Sequence, residues 1–259
     1  MHVIVCMKQA PDPEGPRDAF FINTQDTRVE PRGIPPALSL FDENALEAAL
    51  RIKDADKENV KITVLCAGKK VSGAVLLKAL AAGADSAVMV QGQGLEMENQ
   101  DSFSSAGLLA AAVAKIGPFD LILTGRQSAD SNAGQTGILL AGLLGVPAVS
   151  LAQKVSPDKE HVLVERVIQG GCEKLKVPLP CLAVVGNEAG ELRYPAMKER
   201  RLAKNKPVLD WSMEAMGLDV APDKKVVLRK LFAPTTRSRQ CRFITGAMLA
   251  QVLREDQII

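Results

Sequence analysis

The stretch from residue 120 to residue 147 narrows what this chain can fold into more than any other. Residues 120–124, Asp-Leu-Ile-Leu-Thr, carry the continuous, branched apolar character of a strand buried on both faces. Residues 125–137 follow as Gly-Arg-Gln-Ser-Ala-Asp-Ser-Asn-Ala-Gly-Gln-Thr-Gly, a run of glycines and short polar side chains. Residues 138–144 then read as an apolar helix, stopped by Gly145-Val146-Pro147. A loop that feeds a helix start leaves backbone N–H groups open beside the positive end of the helix dipole, which suits an anion. A crossover loop that is merely rich in capping residues reads the same way, so the rest of the chain has to decide.

The same strand–loop–helix order recurs along the first half. Strands are expected at 3–7, 60–66 and 87–90, and helices at 42–53, 71–82 and 103–116. Short connections between them predict an α/β fold, a parallel Rossmann-like sheet with helices on its faces. The helix at 42–53 places Ala45, Leu46, Ala49, Leu50 and Ile52 on one stripe, with Glu43 and Glu47 complementing its N-terminal dipole. Residues 14–36 are irregular, with a small hairpin around 20–23 and 27–29 and four breakers at Pro31, Gly33, Pro35 and Pro36. Gln91-Gly92-Gln93-Gly94 starts like a dinucleotide fingerprint, but Met97 stands where its third glycine belongs and no helix opens there.

The pattern changes after Pro147. Runs at 149–155, 161–168, 173–177 and 182–185 read as strands parted by Pro-Asp, Gly-Gly and Pro-x-Pro, an antiparallel extension of the parallel core. Charge dominates residues 193–206, with Met197 as an apolar side chain among the cations. Beyond Pro207 come Trp211, a candidate strand at 226–232, a basic linker Arg237-Ser238-Arg239 and a closing helix at 247–254. That tail is too sparse in apolar residues for its own core and is expected to lie against another chain. The expected division is a nucleotide-binding α/β domain with its β extension at 1–192, a partner recognition loop at 193–207 and a C-terminal arm at 208–259.

Composition removes several function classes. With 259 residues, 47% of them hydrophobic, the chain can bury one large core, while a net charge of +2 and 3% aromatic residues point away from nucleic acid. No apolar run is long enough for direct membrane insertion, and the chain opens straight on a strand-like run. A cytoplasmic protein is expected, or one of the mitochondrial matrix if the source is eukaryotic. Five cysteines without a Cys-x-x-Cys fit free thiols, and His2 and His161 alone provide no metal site. No Ser-His-Asp set, Gly-x-Ser-x-Gly elbow, Gly-x-x-x-x-Gly-Lys-Ser/Thr loop or Ser-Gly-Gly-x-Asp-Ser loop is present. A nucleotide-shaped site without these parts suggests binding rather than turnover.

Several separated motifs resemble the electron transfer flavoprotein β-subunit family, FixA-type members included. They are Val5-Cys6-Met7-Lys8-Gln9-Ala10-Pro11-Asp12, Phe41-Asp42-Glu43-Asn44-Ala45-Leu46-Glu47-Ala48-Ala49 and Ala79-Leu80-Ala81-Ala82-Gly83-Ala84-Asp85. Gly125-Arg126-Gln127-Ser128-Ala129-Asp130 with Gln135-Thr136-Gly137 follows, then Arg193-Tyr194-Pro195-Ala196-Met197 with Ala203-Lys204-Asn205-Lys206-Pro207. The resemblance implies an adenine nucleotide α hydrolase-like fold and a heterodimer with an α subunit that holds the redox-active FAD. It implies an electron carrier rather than a stand-alone enzyme, accepting electrons from acyl-CoA or other flavin dehydrogenases, with a structural AMP in this subunit.

Carried over by position, the residues expected around AMP are Cys6, Ser39, Leu40, Phe41, Asp42 and Cys66. The loop adds Gly125, Arg126, Gln127, Ser128, Ala129, Asp130, Ser131, Asn132, Ala133, Gly134, Gln135 and Thr136. Phe41 is expected beside the flavin across the subunit boundary. The expected partner-binding residues are Arg193, Tyr194, Pro195, Ala196, Met197 and Lys198, with Met197 in place of the family's leucine anchor. Lys198-Glu199-Arg200-Arg201 departs from the apolar pair that usually follows that anchor, and Gln169 stands where an acid usually precedes Gly170-Gly171. One branch of the family binds a second FAD in place of AMP and bifurcates electrons from NADH. Thr136 follows the AMP-type pattern, whereas residues 130–134 match neither type, so the second FAD is the alternative.

Overall fold

The computed structural model describes residues 1–25, 27–93, 95, 100–233 and 241–259. Gly94 and Met97 of the incomplete fingerprint, and the basic linker Arg237-Ser238-Arg239, lie outside the described residues. The chain runs β1 (His2–Met7), β2 (Gln9–Pro11), β3 (Phe20–Asn23), β4 (Arg28–Pro31), β5 (Pro36–Leu38), α1 (Leu40–Ala55), β6 (Lys61–Gly68), α2 (Gly73–Ala82) and β7 (Ser86–Gln91). It continues with α3 (Ser102–Ile116), β8 (Leu121–Gly125), α4 (Thr136–Leu144), β9 (Ala148–Asp158), β10 (His161–Ile168) and β11 (Gly171–Pro178). The last elements are β12 (Cys181–Val185), α5 (Met197–Ala203), β13 (Val208–Trp211) and α6 (Leu249–Glu255).

Nine strands form one sheet in the order β11-β10-β9-β12-β8-β1-β6-β7-β13. Every pair from β9 across to β13 is parallel, and the hairpin β10–β11 continues antiparallel from β9. Apolar residues on both sides of each central strand explain this arrangement, because a strand such as β1 or β8 can be buried only between two layers of helix. Val3, Val5, Val64, Leu121 and Leu123 pack on the side of α1 and α2. Ile4, Cys6, Leu65 and Ile122 pack on the side of α3 and α4.

Two expectations need correction. Residues 182–185 are not part of the antiparallel extension: β12 enters the parallel core between β9 and β8, fully buried. Its five apolar residues carry no alternation that would reveal which neighbours it takes. Residues 226–232 carry no strand, and the large side chains there, Val226, Val227, Leu228 and Phe232, are exposed. The tail's strand is instead β13, in register Val208↔Ala87 through Trp211↔Val90 at the sheet's outer edge. No helix among the described residues is long and apolar enough to cross a membrane.

After β13 the tail packs Trp211, Met213, Met216 and Leu218 over the α3 layer. Lys225 and Val226 then donate their backbone N–H groups to the Asp101 carboxylate, at 2.6 and 2.7 Å. Farther along the tail, Phe232 and Phe243 are exposed.

Leu123 has no exposed surface and lies between Val5 of β1 and Ala183 of β12. Leu123→Ala is expected to cost about 2–5 kcal/mol, read from the urea midpoint, and a loss under about 1 kcal/mol would show that the sheet centre relaxes around a void.

Candidate functional site

The strand order reverses direction between β1 and β8. The chain proceeds from β1 to β6 and β7 on one side, and from β8 to β9 and β12 on the other. The helices that follow β1 and β8 therefore go to opposite faces, and a crevice opens at the carboxyl ends of the two strands. Cys6 and Met7 of β1, Ala67 of β6, and Thr124 and Gly125 of β8 reach it, with Asp42 from α1. Its other walls are the loop and first turn of α4, and Gln100, Asp101, Ser102, Ser105 and Leu109 at the start of α3.

Asp42 joins the two strand ends. Its carboxylate accepts the backbone N–H of Lys8 at 2.7 Å and that of Gly125 at 3.1 Å, while its side chain is buried. Gly125 has to be glycine for this approach: a Cβ there would stand 2.6 Å from the carbonyl carbon of Phe41 and 2.7 Å from the nitrogen of Asp42. Burial pushes the Asp42 carboxyl up from 3.8 to about 7, against the two backbone bonds and the pull of the Lys8 ammonium.

The loop is braced from below and from the side. Ser39 precedes α1 but does not cap it; its hydroxyl instead accepts from the Ala129 N–H at 3.3 Å and donates to the Gln127 carbonyl at 3.4 Å. Lys8 forms an ion pair with Asp130 at 2.7 Å. Burial would raise Asp130, but the Lys8 charge and hydrogen bond outweigh it and hold the carboxyl below its ordinary range. Gln127 donates to Asn132 at 3.0 Å, and the Ser128 and Ser131 hydroxyls bond at 2.8 Å. No side chain caps α4, so the N–H groups of its first turn open toward the crevice. Arg126 stands exposed at the rim and makes no ion pair among the described residues.

Of the residues expected around a nucleotide, Cys6, Asp42, Gly125, Arg126, Gln127, Ser128, Ser131, Ala133, Gly134, Gln135 and Thr136 line the crevice. Ser39, Ala129, Asp130 and Asn132 hold the loop from outside the lining. Leu40 is exposed and Phe41 half-buried, both beside rather than in the crevice. Cys66 is buried in the core on the α1 side, and its neighbour Ala67 reaches the crevice in its place, since adjacent strand residues point to opposite faces. Burial pushes the Cys6 thiol up, and does the same to Cys66.

The sequence reading missed Met7, Lys8, Ala67, Thr124, Gly137 and the whole α3 wall. The α3 wall carried a usable signal: Asp101 is followed by Ser102 and an alanine-rich helix, a helix-start pattern. Asp101 Oδ1 accepts the Ser104 N–H at 2.7 Å, and its other oxygen holds the tail. Although burial opposes it, these backbone bonds pull Asp101 down to about 2.

The crevice has the geometry of a binding site. Its carboxylates Asp42, Asp101 and, beside the lining, Asp130 are committed to backbone amides or to Lys8, and Cys6 is held as a thiol. A family model described as an electron transfer flavoprotein domain matches residues 28–216. The electron transfer flavoprotein subunit beta of Megasphaera elsdenii is 32% identical, over 92% of this chain and 89% of its own. The chain belongs to the electron transfer flavoprotein β-subunit family. The protein FixA of Azotobacter vinelandii is 31% identical over 94% of this chain and 88% of its own. The caffeyl-CoA reductase-Etf complex subunit CarD of Acetobacterium woodii is 29% identical over 100% of both chains.

In this member of the electron transfer flavoprotein family, the segment expected to meet a partner is fastened at both ends. Arg193 bonds Glu47 through its own N–H at 3.1 Å, Nε at 3.0 Å and Nη2 at 2.9 Å, and pairs with Asp54 at 2.7 Å. These bonds hold the guanidinium above its ordinary range. At the far end Ala203 is buried and Lys206 donates to the carbonyls of Leu80 and Ala84 at 2.8 and 2.7 Å. Between the fastenings, Ala196 precedes α5, Pro195 is half-buried, and Lys198 is exposed. Tyr194 and Met197 are 83% and 79% exposed, although such side chains ordinarily turn inward. The Arg200 guanidinium lies 4.4 Å over the Tyr194 ring.

With Asp42 raised from 3.8 to about 7, the folded protein holds a proton in that interval where the unfolded chain does not. Its contribution to stability is therefore full below about 4, is lost as pH rises from there through about 7, and changes no further above that. Between about pH 5 and about pH 7 the wild type is expected to lose more stability than Asp42→Asn, measured by denaturant midpoints. Parallel slopes would remove Asp42 as the source.

Proposed function

We propose that this chain is the nucleotide-binding half of a heterodimeric electron carrier, joined to an α subunit that holds most of the FAD and served by acyl-CoA or other flavin dehydrogenases. The observation that carries the reading is the crevice itself, a capless helix start at a topological switch point, walled by short polar side chains and without a free acid–base pair. The residues there fit an adenine nucleotide with one phosphate. The first turn of α4 would meet the phosphate, Gly125 leaves room for the loop to close down, and Arg126 stands at the rim. AMP in that position is structural. The flavin, when bound, takes up and releases the electrons; this chain's residues position and enclose.

Two surfaces support the partners. The tail exposes Val226, Val227, Leu228, Phe232 and Phe243, and large apolar side chains grouped in solvent mark interaction surfaces. We assign it to the α subunit. The fastened segment with Met197 at its tip is assigned to the dehydrogenase, because a flexible thioether can fill an irregular recess. The caffeyl-CoA reductase complex named for one relative fits a partner that handles CoA esters.

Nucleotide extracted from the purified heterodimer is expected to be one FAD and one AMP; two FAD and no AMP would replace the AMP reading with the bifurcating one. Met197→Glu is expected to lower electron transfer from the dehydrogenase at least about tenfold, the size of a lost interface anchor, with flavin content unchanged. Undiminished transfer in that variant would sink the assignment of the loop.

A further inference from the structure

Thr124 ends β8 at the floor of the crevice, in register with Cys6 and Val184 on its two neighbours. Its residue is 6% exposed, it lines the crevice, and its Oγ1 makes no hydrogen bond to any of the described residues. Buried hydroxyls are ordinarily bonded, and one that is not forfeits the bonds it made to water. The hydroxyl does have a defined neighbour. A Cβ added to Gly137 would overlap Thr124 Oγ1 and come within 2.9 Å of Val184 Cγ2, so the oxygen stands against the first turn of α4. That turn is the one whose N–H groups no side chain caps.

We propose that Thr124 is a phosphate-reading residue, whose hydroxyl donates to a phosphate-ester oxygen held at the start of α4. The inference rests on the nucleotide-binding reading above and adds a residue to it. An anion at this point accepts from the backbone N–H groups and from the hydroxyl together, whereas a base or ribose in the same place would leave the helix dipole unused. Gly137 is part of the same device, because any side chain there would displace the hydroxyl from the turn. AMP and FAD both bring a phosphate ester, so the chemistry is shared and the ligand arms separate them.

The test uses the full heterodimer, freed of its β-site nucleotide, as wild type, Thr124→Val and Thr124→Ser. Each is titrated with AMP, FAD and adenosine and melted with and without ligand. Thr124→Val is expected to weaken AMP about tenfold, the scale of one hydrogen bond to a charged group, while Thr124→Ser stays within about twofold of wild type. Adenosine, lacking phosphate, is expected to bind all three alike. Without ligand the valine variant is expected to melt at or above wild type, because an unbonded hydroxyl has been removed; with saturating AMP the order reverses. A loss seen with FAD in place of AMP also supports the residue's role and assigns it to the diphosphate.

Equal phosphate-ester affinity in wild type and Thr124→Val overturns the proposal and leaves the hydroxyl to an ordered water. A loss for adenosine as large as for AMP also overturns it. A wild-type heterodimer that binds neither AMP nor FAD defeats the nucleotide reading and the proposal with it, and the wild-type arm alone distinguishes that failure from the others.

Discussion

The Asp42 carboxylate accepts from the first amide beyond β1 and from the last residue of β8, the two strands between which the crevice opens. One buried group thereby sets how far the strand ends part, how close the loop comes to α1, and where the first residue of that loop points. An asparagine there, with one carbonyl oxygen, could accept from only one of the two amides, and leaving the other unbonded in the interior is costly. The requirement for glycine at 125 follows from the same geometry, since the backbone at Phe41 and Asp42 fills the space a Cβ would need. Sequence, strand termination and site shape are thus three aspects of one contact.

The segment that carries Tyr194 and Met197 depends on a second polar arrangement of the opposite kind. Glu47 is buried on α1 and receives three donors from Arg193, which also reaches Asp54. A buried carboxylate so fully bonded is worth more for placing a backbone than for raw stability. Here it fixes the entry to a short segment whose exit is fixed by Lys206 at the end of α2. Holding Tyr194 and Met197 out in solvent from such a base lowers the ordering cost of any contact they make.

The parallel core was legible because each central strand is a continuous apolar run and each is followed by a run with the apolar spacing of a helix. The loop was legible for a similar reason: residues 125–137 combine glycines, short polar side chains and a helix start. What stayed hidden depended on position in space. β12 and a buried antiparallel strand look alike as five apolar residues, and β13 is four residues long behind a charged segment. Residues 226–232 had the apolar content of a strand but join no strand of the sheet. At the site, alternation decided between Cys66 and Ala67, and no sequence pattern states which of two adjacent residues faces a crevice. The α3 wall comes from a helix far from the loop in sequence, so only the fold brings Asp101 and Ser105 opposite Gln135 and Thr136.

The late insertion of β12 has a consequence for how the chain reaches this state. During synthesis β8 is complete at residue 125, but the strand that covers its outer edge arrives only with residues 181–185, after an entire hairpin has been made. β13 closes the opposite edge later still. Until then the nascent sheet carries two apolar, unpaired edges, the state most open to pairing with a neighbouring chain. Such sequence-distant pairings make the last steps of folding slow relative to the helical layers. The window of greatest risk to this protein therefore lies on the ribosome, between the completion of its binding loop and the strand that locks that loop's sheet in place.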